Sequence, residues 1–279
     1  TDMDKFGNKK LAVIGGGHVG QAFVQGLIDS GKVDCSRVIV ANPSTMKISY
    51  LRKLGVNVTT NNRDAVSQAD WIFLAVKPFA IESVLSEIRA LIKGKLIISL
   101  AAAVSIERMA RWSSDVTVIR VIPNLAISVN QGVMGLYADK ISVREKDRVK
   151  NLLSLLGTVV EVDKEEELDT VTLLSGCGPA IVSQIMEILG RYGVGDGFSI
   201  EKAREIVLQT FKGTVSLLEK SGSTADGLIE SVATKGGVTE AVLNEMKHGG
   251  FQVDLIRAID SGYSKIKELD QKLNNKEVI

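Results

Sequence analysis

The stretch LAVIGGGHVGQAFVQGLIDSG, residues 11–31, constrains this chain more than any other. Four apolar residues run directly into Gly15-x-Gly17-x-x-Gly20, and apolar side chains then recur at helical spacing. A strand that turns sharply into a helix favours glycine at the turn. A glycine two positions on lets a ligand approach the backbone, and a third lets helix and strand pack closely. The start of the helix carries free N–H groups and partial positive charge. The segment therefore predicts a strand–turn–helix cradle for the pyrophosphate of a dinucleotide, with Gly15, Gly17 and Gly20 in those roles.

The rhythm of the chain extends this unit. Strand candidates fall at 10–15, 37–42, 56–60, 70–76, 95–102, 117–124, 133–138 and 158–163, and the early ones are nearly continuous apolar runs. Such runs suit strands of a parallel sheet buried on both faces. Amphipathic helical patterns lie between several of them, as in IESVLSEIRALIK at 81–93. After residue 164 strand-like runs vanish, and helices are expected over 199–222 and 252–273. The predicted fold class is α/β: a Rossmann-type nucleotide-binding domain over residues 1–163, then an all-α domain over 164–279. The boundary falls in the acidic stretch DKEEELD, 163–169, read as a solvated helix start. The apolar stretch 170–189, interrupted by Gly and Pro, reads as a buried loop and helix.

Bulk properties exclude several function classes. Of 279 residues, 34 are Lys or Arg and 33 are Asp or Glu, and no basic block is present, so neither nucleic acid nor a membrane surface is expected as a partner. Two cysteines and two histidines, widely scattered, form neither a disulfide framework nor a metal-binding pattern. The N-terminal TDMDKFGNKK lacks the apolar run of a signal peptide. A cytoplasmic location is the expectation.

The end of the second strand bears on which dinucleotide is bound. NAD sites usually carry a carboxylate there for the ribose 2′-hydroxyl. This chain has Asn42, followed by Ser44, Thr45 and Lys47. With no carboxylate to repel a 2′-phosphate and three donors at hand, NADPH is the expected cofactor. No arginine is present, so NADH remains possible. The same three residues also suit a helix start. Lys77 in FLAVKP ends the fourth strand candidate, where it stands beside the cofactor crevice or simply at the surface.

A second cradle lies far away, in ATKGGVTEAVLNEM, residues 233–246, where a Gly-Gly pair again precedes a helical run. With IGGGHVG, AVKP, ISLAAAVSIERM, RVIPN and SGCGPA, it makes nearly the whole chain resemble the pyrroline-5-carboxylate reductase family of proline biosynthesis. The resemblance implies an oxidoreductase in which NADPH or NADH delivers hydride to C5 of a cyclic imine, giving L-proline. It also implies homodimers, or larger homo-oligomers, formed by interleaved C-terminal helices, with the active site between the nucleotide domain and those helices. Gly15, Gly17, His18, Val19 and Gly20 resemble the family's pyrophosphate loop, with His18 contributing backbone. Asn42, Ser44 and Asn62 resemble adenosine-end residues. Ala75, Val76, Lys77, Pro78, Ala101 and Ala102 resemble segments running along the cofactor. Thr234, Gly236, Gly237, Val238 and Thr239 resemble the contacts to the substrate carboxylate and imine.

Physical chemistry agrees with that placement. N–H groups at a helix start suit a substrate carboxylate, and a fixed ring brings its C5 to the hydride donor. Thr239 is the candidate donor to the imine nitrogen; its alternative is an N-terminal cap. His248 is expected at a helix C-terminus, and Cys177 as a packed, unreactive thiol. The chain departs from the family pattern at Leu125, Ala126, Thr224-Ala225 and Thr234-Lys235. These departures cluster around the substrate, so reduction of another cyclic imine or small carbonyl acid stays open. So does a non-catalytic dinucleotide-binding paralogue.

Overall fold

The structure, a computed structural model, describes residues 6–113 and 116–276. Its strands are β1 (Leu11–Ile14), β2 (Val38–Ala41), β3 (Asn57–Thr59), β4 (Trp71–Leu74), β5 (Leu96–Ser99), β6 (Thr117–Pro123), β7 (Gly132–Ala138) and β8 (Gly157–Glu161). Each falls within or beside one of the eight strand candidates. They form a single sheet in the order β3-β2-β1-β4-β5-β6-β7-β8. Pairing is parallel from β3 through β6; β7 runs antiparallel to β6, and β8 parallel to β7. The order turns about β1, which makes this a doubly wound sheet with its crevice at the carboxyl ends of the strands.

The continuous apolar runs are explained by two cores, one on each face. Leu11, Val13, Val38, Val40, Trp71, Phe73, Leu96 and Ile98 belong to one buried cluster. Their neighbours Ala12, Ile14, Ile39, Ala41, Ile72, Leu74 and Ile97 belong to the other. Successive strand residues point to opposite faces, so a strand covered on both sides must be apolar at every position.

The helices of this half are α1 (His18–Asp29), α2 (Tyr50–Lys53), α3 (Asn62–Ser67), α4 (Ile81–Ile88), α5 (Ile106–Ser113) and α6 (Val143–Leu153). Beyond β8 come α7 (Glu167–Val171), a π turn (Thr172–Gly176), α8 (Gly178–Gly195), α9 (Ile200–Ser221), α10 (Ala225–Val232), α11 (Val238–His248) and α12 (Phe251–Lys276). As expected, α9 stops at Gly222, a left-handed cap. His248 closes α11, as expected, and lies in its last turn.

Contacts divide the chain into Thr1–Pro179 with Tyr263–Ile279, and Ala180–Gly262. The division thus falls inside α8 and α12, whereas residue 163 marks where strands give way to helices. The tail of α12 belongs to the sheet-containing unit because its charged side chains are tied there. Asp270 pairs with buried Arg108 at 3.0 Å, and Lys267 with Asp169 at 2.9 Å.

Two readings of the sequence need correction. The acidic stretch 163–169 is more than a solvated helix start. Glu165 Oε1 accepts from Arg120 Nη1 at 2.9 Å and from the Ile106 N–H, at the start of α5, at 2.8 Å. One carboxylate thereby joins β6, α5 and the approach to α7, and it neutralises an arginine buried in the sheet. The stretch 170–189 is also not a loop, and apart from Leu173 its residues are not buried. It is helix interrupted by one π turn, and α8 contains no buried residue. By length and composition Glu167–Gly195 could cross a membrane. Ile188, Leu189 and Tyr192 are exposed, and Cys177, expected to be packed, is exposed as well. A helix this apolar that its own chain leaves uncovered is an association surface.

The Arg120–Glu165 pair makes a direct prediction. Removing one member strands a buried charge, whereas replacing both with apolar residues does not. Glu165→Ala should lower unfolding stability by roughly 3 kcal/mol in urea titrations, and Arg120→Met with Glu165→Leu should recover most of that loss.

Candidate functional site

The glycine loop after β1 is assembled by backbone contacts that leave no room for side chains. Gly15 has φ +109°, and a Cβ there would stand 2.6 Å from the Ala75 carbonyl oxygen. A Cβ on Gly20 would stand 2.0 Å from the Gly15 oxygen. The Gly15 N–H donates to Ala41 O at 2.8 Å, and the Ala75 N–H to Ile14 O at 2.8 Å. The ends of β1, β2 and β4 are thus stitched together, and the loop abuts Ala75 and Val76.

Gly17 behaves differently. A Cβ there meets no protein atom within 4 Å. Packing gives no reason for glycine at this position; close approach of a ligand to the backbone does. Gly17 is the N-cap of α1, no side chain caps that helix, and its first turn contains no acid. The N–H groups of His18, Val19 and Gly20 lack intrahelical acceptors by position. His18 is exposed beside them. This uncapped, acid-free cradle fits a pyrophosphate.

Other predicted residues play different parts. Asn42 sits at the end of β2, but its side chain is engaged within the protein. Its Oδ1 accepts from the Gly16 N–H at 3.0 Å, and its Nδ2 donates to Ser44 O at 2.6 Å. It braces the glycine loop against the β2 turn, a role its position alone could not reveal. Ser44 and Lys47 are exposed, Thr45 is half-buried, and among the described residues their side chains take no hydrogen bond or ion pair. Thr45 does not cap the short turn that follows. The Asn62 amide donates to Glu87 at 2.7 Å, which holds it to α4. Lys77 is exposed and precedes Pro78, the first residue of a tight turn. Ala101 is buried and Ala102 half-buried beyond β5. The next residue, Ala103, was not singled out by sequence. It has φ +59°, a left-handed conformation costly for alanine and often kept at functional sites.

The second cradle lies in the helical unit and is described by itself. Gly236 has φ +74°, and the Gly237 N–H donates to Thr234 O at 2.9 Å. Gly237 is the N-cap of α11, with no side-chain capping bond. A Cβ on Gly237 would fall 2.6 Å from Thr234 Oγ1. Thr239 is therefore not the cap; it stands one residue into the helix. The N–H groups of Val238 and Thr239 lack intrahelical acceptors by position. The Gly236 N–H is occupied, donating to Glu240 Oε2 at 2.7 Å. Anion-binding capacity thus centres on Val238 and Thr239, while Glu240 holds the loop behind them. Lys235 is exposed at its side. Thr224 caps α10 by accepting from the Gly227 N–H at 3.1 Å.

Substitutions should separate the two kinds of glycine. Gly20→Ala should cost roughly 3 kcal/mol of stability through its backbone clash. Gly17→Ala should change stability by less than about 1 kcal/mol yet weaken dinucleotide binding about tenfold, an effect of about 1.4 kcal/mol. Urea unfolding and titration calorimetry check the pair.

Comparisons with known proteins bear on both cradles. Residues 10–103 match a family model described as NADP oxidoreductase, coenzyme F420-dependent. Residues 165–269 match one described as pyrroline-5-carboxylate reductase dimerisation. A pyrroline-5-carboxylate reductase of Corynebacterium melassecola is 33% identical over 269 residues, covering 93% of this chain and 98% of the relative. Pyrroline-5-carboxylate reductase 3 of Danio rerio is 34% identical over 266 residues, covering 94% and 92%. The crystal structure of Plasmodium falciparum pyrroline carboxylate reductase with NADP bound superposes with a TM-score of 0.87 at 28% identity, covering 94% of this chain and 98% of that one. With a dinucleotide cradle at one end, a helical half matched by a dimerisation model at the other, and relatives similar from end to end, this chain belongs to the pyrroline-5-carboxylate reductase family.

Proposed function

We propose that this chain reduces L-1-pyrroline-5-carboxylate to L-proline, with NADPH as the preferred reductant and NADH as a possible one. The observation that carries the reading is the pair of uncapped helix starts, at Gly17 and Gly237, in a chain similar to these reductases over nearly its full length. One start suits the cofactor pyrophosphate; the other suits the substrate carboxylate. The chain divides its labour accordingly, with residues 1–163 holding the dinucleotide and 164–279 serving substrate binding and self-association.

Bound NADPH supplies the hydride. The Val238 and Thr239 N–H groups hold the substrate carboxylate, and Thr234, Gly236 and Gly237 shape the loop that presents them. The ring arrives as the protonated imine, which makes C5 electron-poor, and the Thr239 hydroxyl donates to the lone pair that develops on nitrogen as hydride adds. Hydride then adds to C5, the C=N π pair goes to nitrogen, and the proton already on nitrogen remains in the product. Such a site works chiefly by positioning. Gly15, His18, Val19, Gly20, Ala75 and Val76 form the walls of the cofactor mouth. Ser44, Thr45 and Lys47 are its free donors towards a 2′-phosphate. The exposed apolar residues of α8 and α9 support assembly into a homodimer or a larger homo-oligomer, working in the cytoplasm.

A second reading keeps the chemistry and changes the substrate. Leu125 is 51% exposed and Lys235 is exposed, both at positions where the chain departs from its family. A preference for the six-membered cyclic imine over the five-membered one would favour it.

The test is a steady-state assay following NADPH oxidation with the imine. Turnover is expected with both cofactors, faster at low concentration with NADPH. Tight NADPH binding with no turnover would sink the proposal. Thr239→Ala should lower kcat about 10²-fold, within the range for losing one positioned donor, with NADPH affinity unchanged. Unchanged turnover would remove Thr239 from the mechanism.

A further inference from the structure

Ser175 lies in the one π turn among the described residues, Thr172–Gly176, between α7 and α8. The turn is marked by the Cys177 N–H donating to Thr172 O at 2.9 Å. Such turns insert one extra residue into a helix and are frequent at functional sites. Several Ser and Thr hydroxyls elsewhere in the helices bond back to the carbonyl four residues earlier. Ser113 does so to Met109, Thr172 to Leu168, Thr210 to Ile206 and Ser221 to Leu217, at 2.6–2.8 Å. Ser175 does not. Its Oγ is buried and has no hydrogen-bond partner among the described residues. A buried hydroxyl left unpaired carries its full desolvation cost, so its retention calls for an explanation.

Its place in the fold supplies one. The residue just before the π turn, Val171, packs on Gly135 so closely that a Cβ on the glycine would lie 2.7 Å from Val171 Cγ1. Gly135 pairs with Ile122, near the carboxyl end of β6. The turn therefore lies by the crevice edge of the sheet, in the same compact unit as the glycine loop. From β1, the strand order runs to β2 and β3 on one side and to β4, β5 and β6 on the other. A dinucleotide whose pyrophosphate sits at β1 extends its adenosine towards β2 and its nicotinamide towards β4–β6. Strands about 4.8 Å apart put β6 roughly 14 Å from β1, on the nicotinamide side.

We propose that the Ser175 hydroxyl, held free by the π turn, hydrogen-bonds the nicotinamide carboxamide and fixes the orientation of the ring. A hydroxyl donates and accepts at once, and so matches an amide's C=O and NH2. It lacks the charge that a phosphate partner calls for. This role rests on reading the cofactor as NADPH and is independent of which imine is reduced.

The test compares NADPH with 2′,5′-ADP, which keeps the adenosine half and lacks nicotinamide, on the full-length protein and its Ser175→Ala variant. The variant should bind NADPH three- to tenfold more weakly, bind 2′,5′-ADP as before, melt no lower than the wild type without ligand, and keep its oligomeric state. Ser175→Thr, which restores a hydroxyl, should recover most of the NADPH affinity. Equal affinities of wild type and Ser175→Ala for NADPH would overturn the proposal. So would parallel losses for both ligands, or a lower melting temperature or altered assembly, which would place the missing partner in the protein itself. If the wild-type protein bound neither ligand, the cofactor reading itself would fail, an outcome distinct from the failure of Ser175 alone.

Discussion

The backbone of Gly15 touches the backbone of α1 at Gly20, and the cofactor mouth depends on that contact. A methyl group on Gly20 would lie 2.0 Å from the Gly15 oxygen, and one on Gly15 would lie 2.6 Å from Ala75 O. These two approaches fix the angle at which α1 leaves β1 and bring the end of β4 against the loop. Asn42 completes the arrangement from the other side by taking the Gly16 N–H. Only then does the start of α1 face outward at Gly17, the one position of the motif with open space around it. The same loop shows packing and binding as separate demands on neighbouring glycines.

The helical half repeats the device with different chemistry. Gly237 again leaves a helix start without a side-chain cap, but Glu240 reaches back to Gly236 and holds the loop from behind. Within the sheet-containing unit, Glu165 ties the approach to α7 to the sheet by neutralising Arg120 and to α5 by taking the Ile106 N–H. The apolar surface of α8 is exposed in a single chain, and this half matches a dimerisation model. Apolar surface on that scale in a folded chain is material for an interface.

Much of this was legible in the residues. The central strands announced themselves because a sheet covered on both faces requires unbroken apolar runs, and β1, β2, β4 and β5 are buried at every position. The glycine spacing identified the cradle because backbone contact excludes every other residue type. What escaped notice depends on contacts distant in sequence. That Asn42 braces a loop 26 residues away, or that Glu165 reaches β6 45 residues away, leaves no mark on local spacing. The antiparallel β7, the left-handed Ala103 and the π turn at Ser175 are likewise products of tertiary packing. Burial of 170–189 was misread because an apolar helix looks the same whether its cover comes from its own chain or from another.

The central claim is that this chain reduces a carboxylate-bearing cyclic imine with NADPH, with a separate anion cradle proposed for each ligand. Its most direct test uses NADPH deuterated at C4 of the nicotinamide and L-1-pyrroline-5-carboxylate, with the product examined by NMR. The account predicts L-proline carrying deuterium at C5 and nowhere else. Consumption of the labelled cofactor without deuterium in proline, or no proline at all from enzyme that binds NADPH, would contradict it.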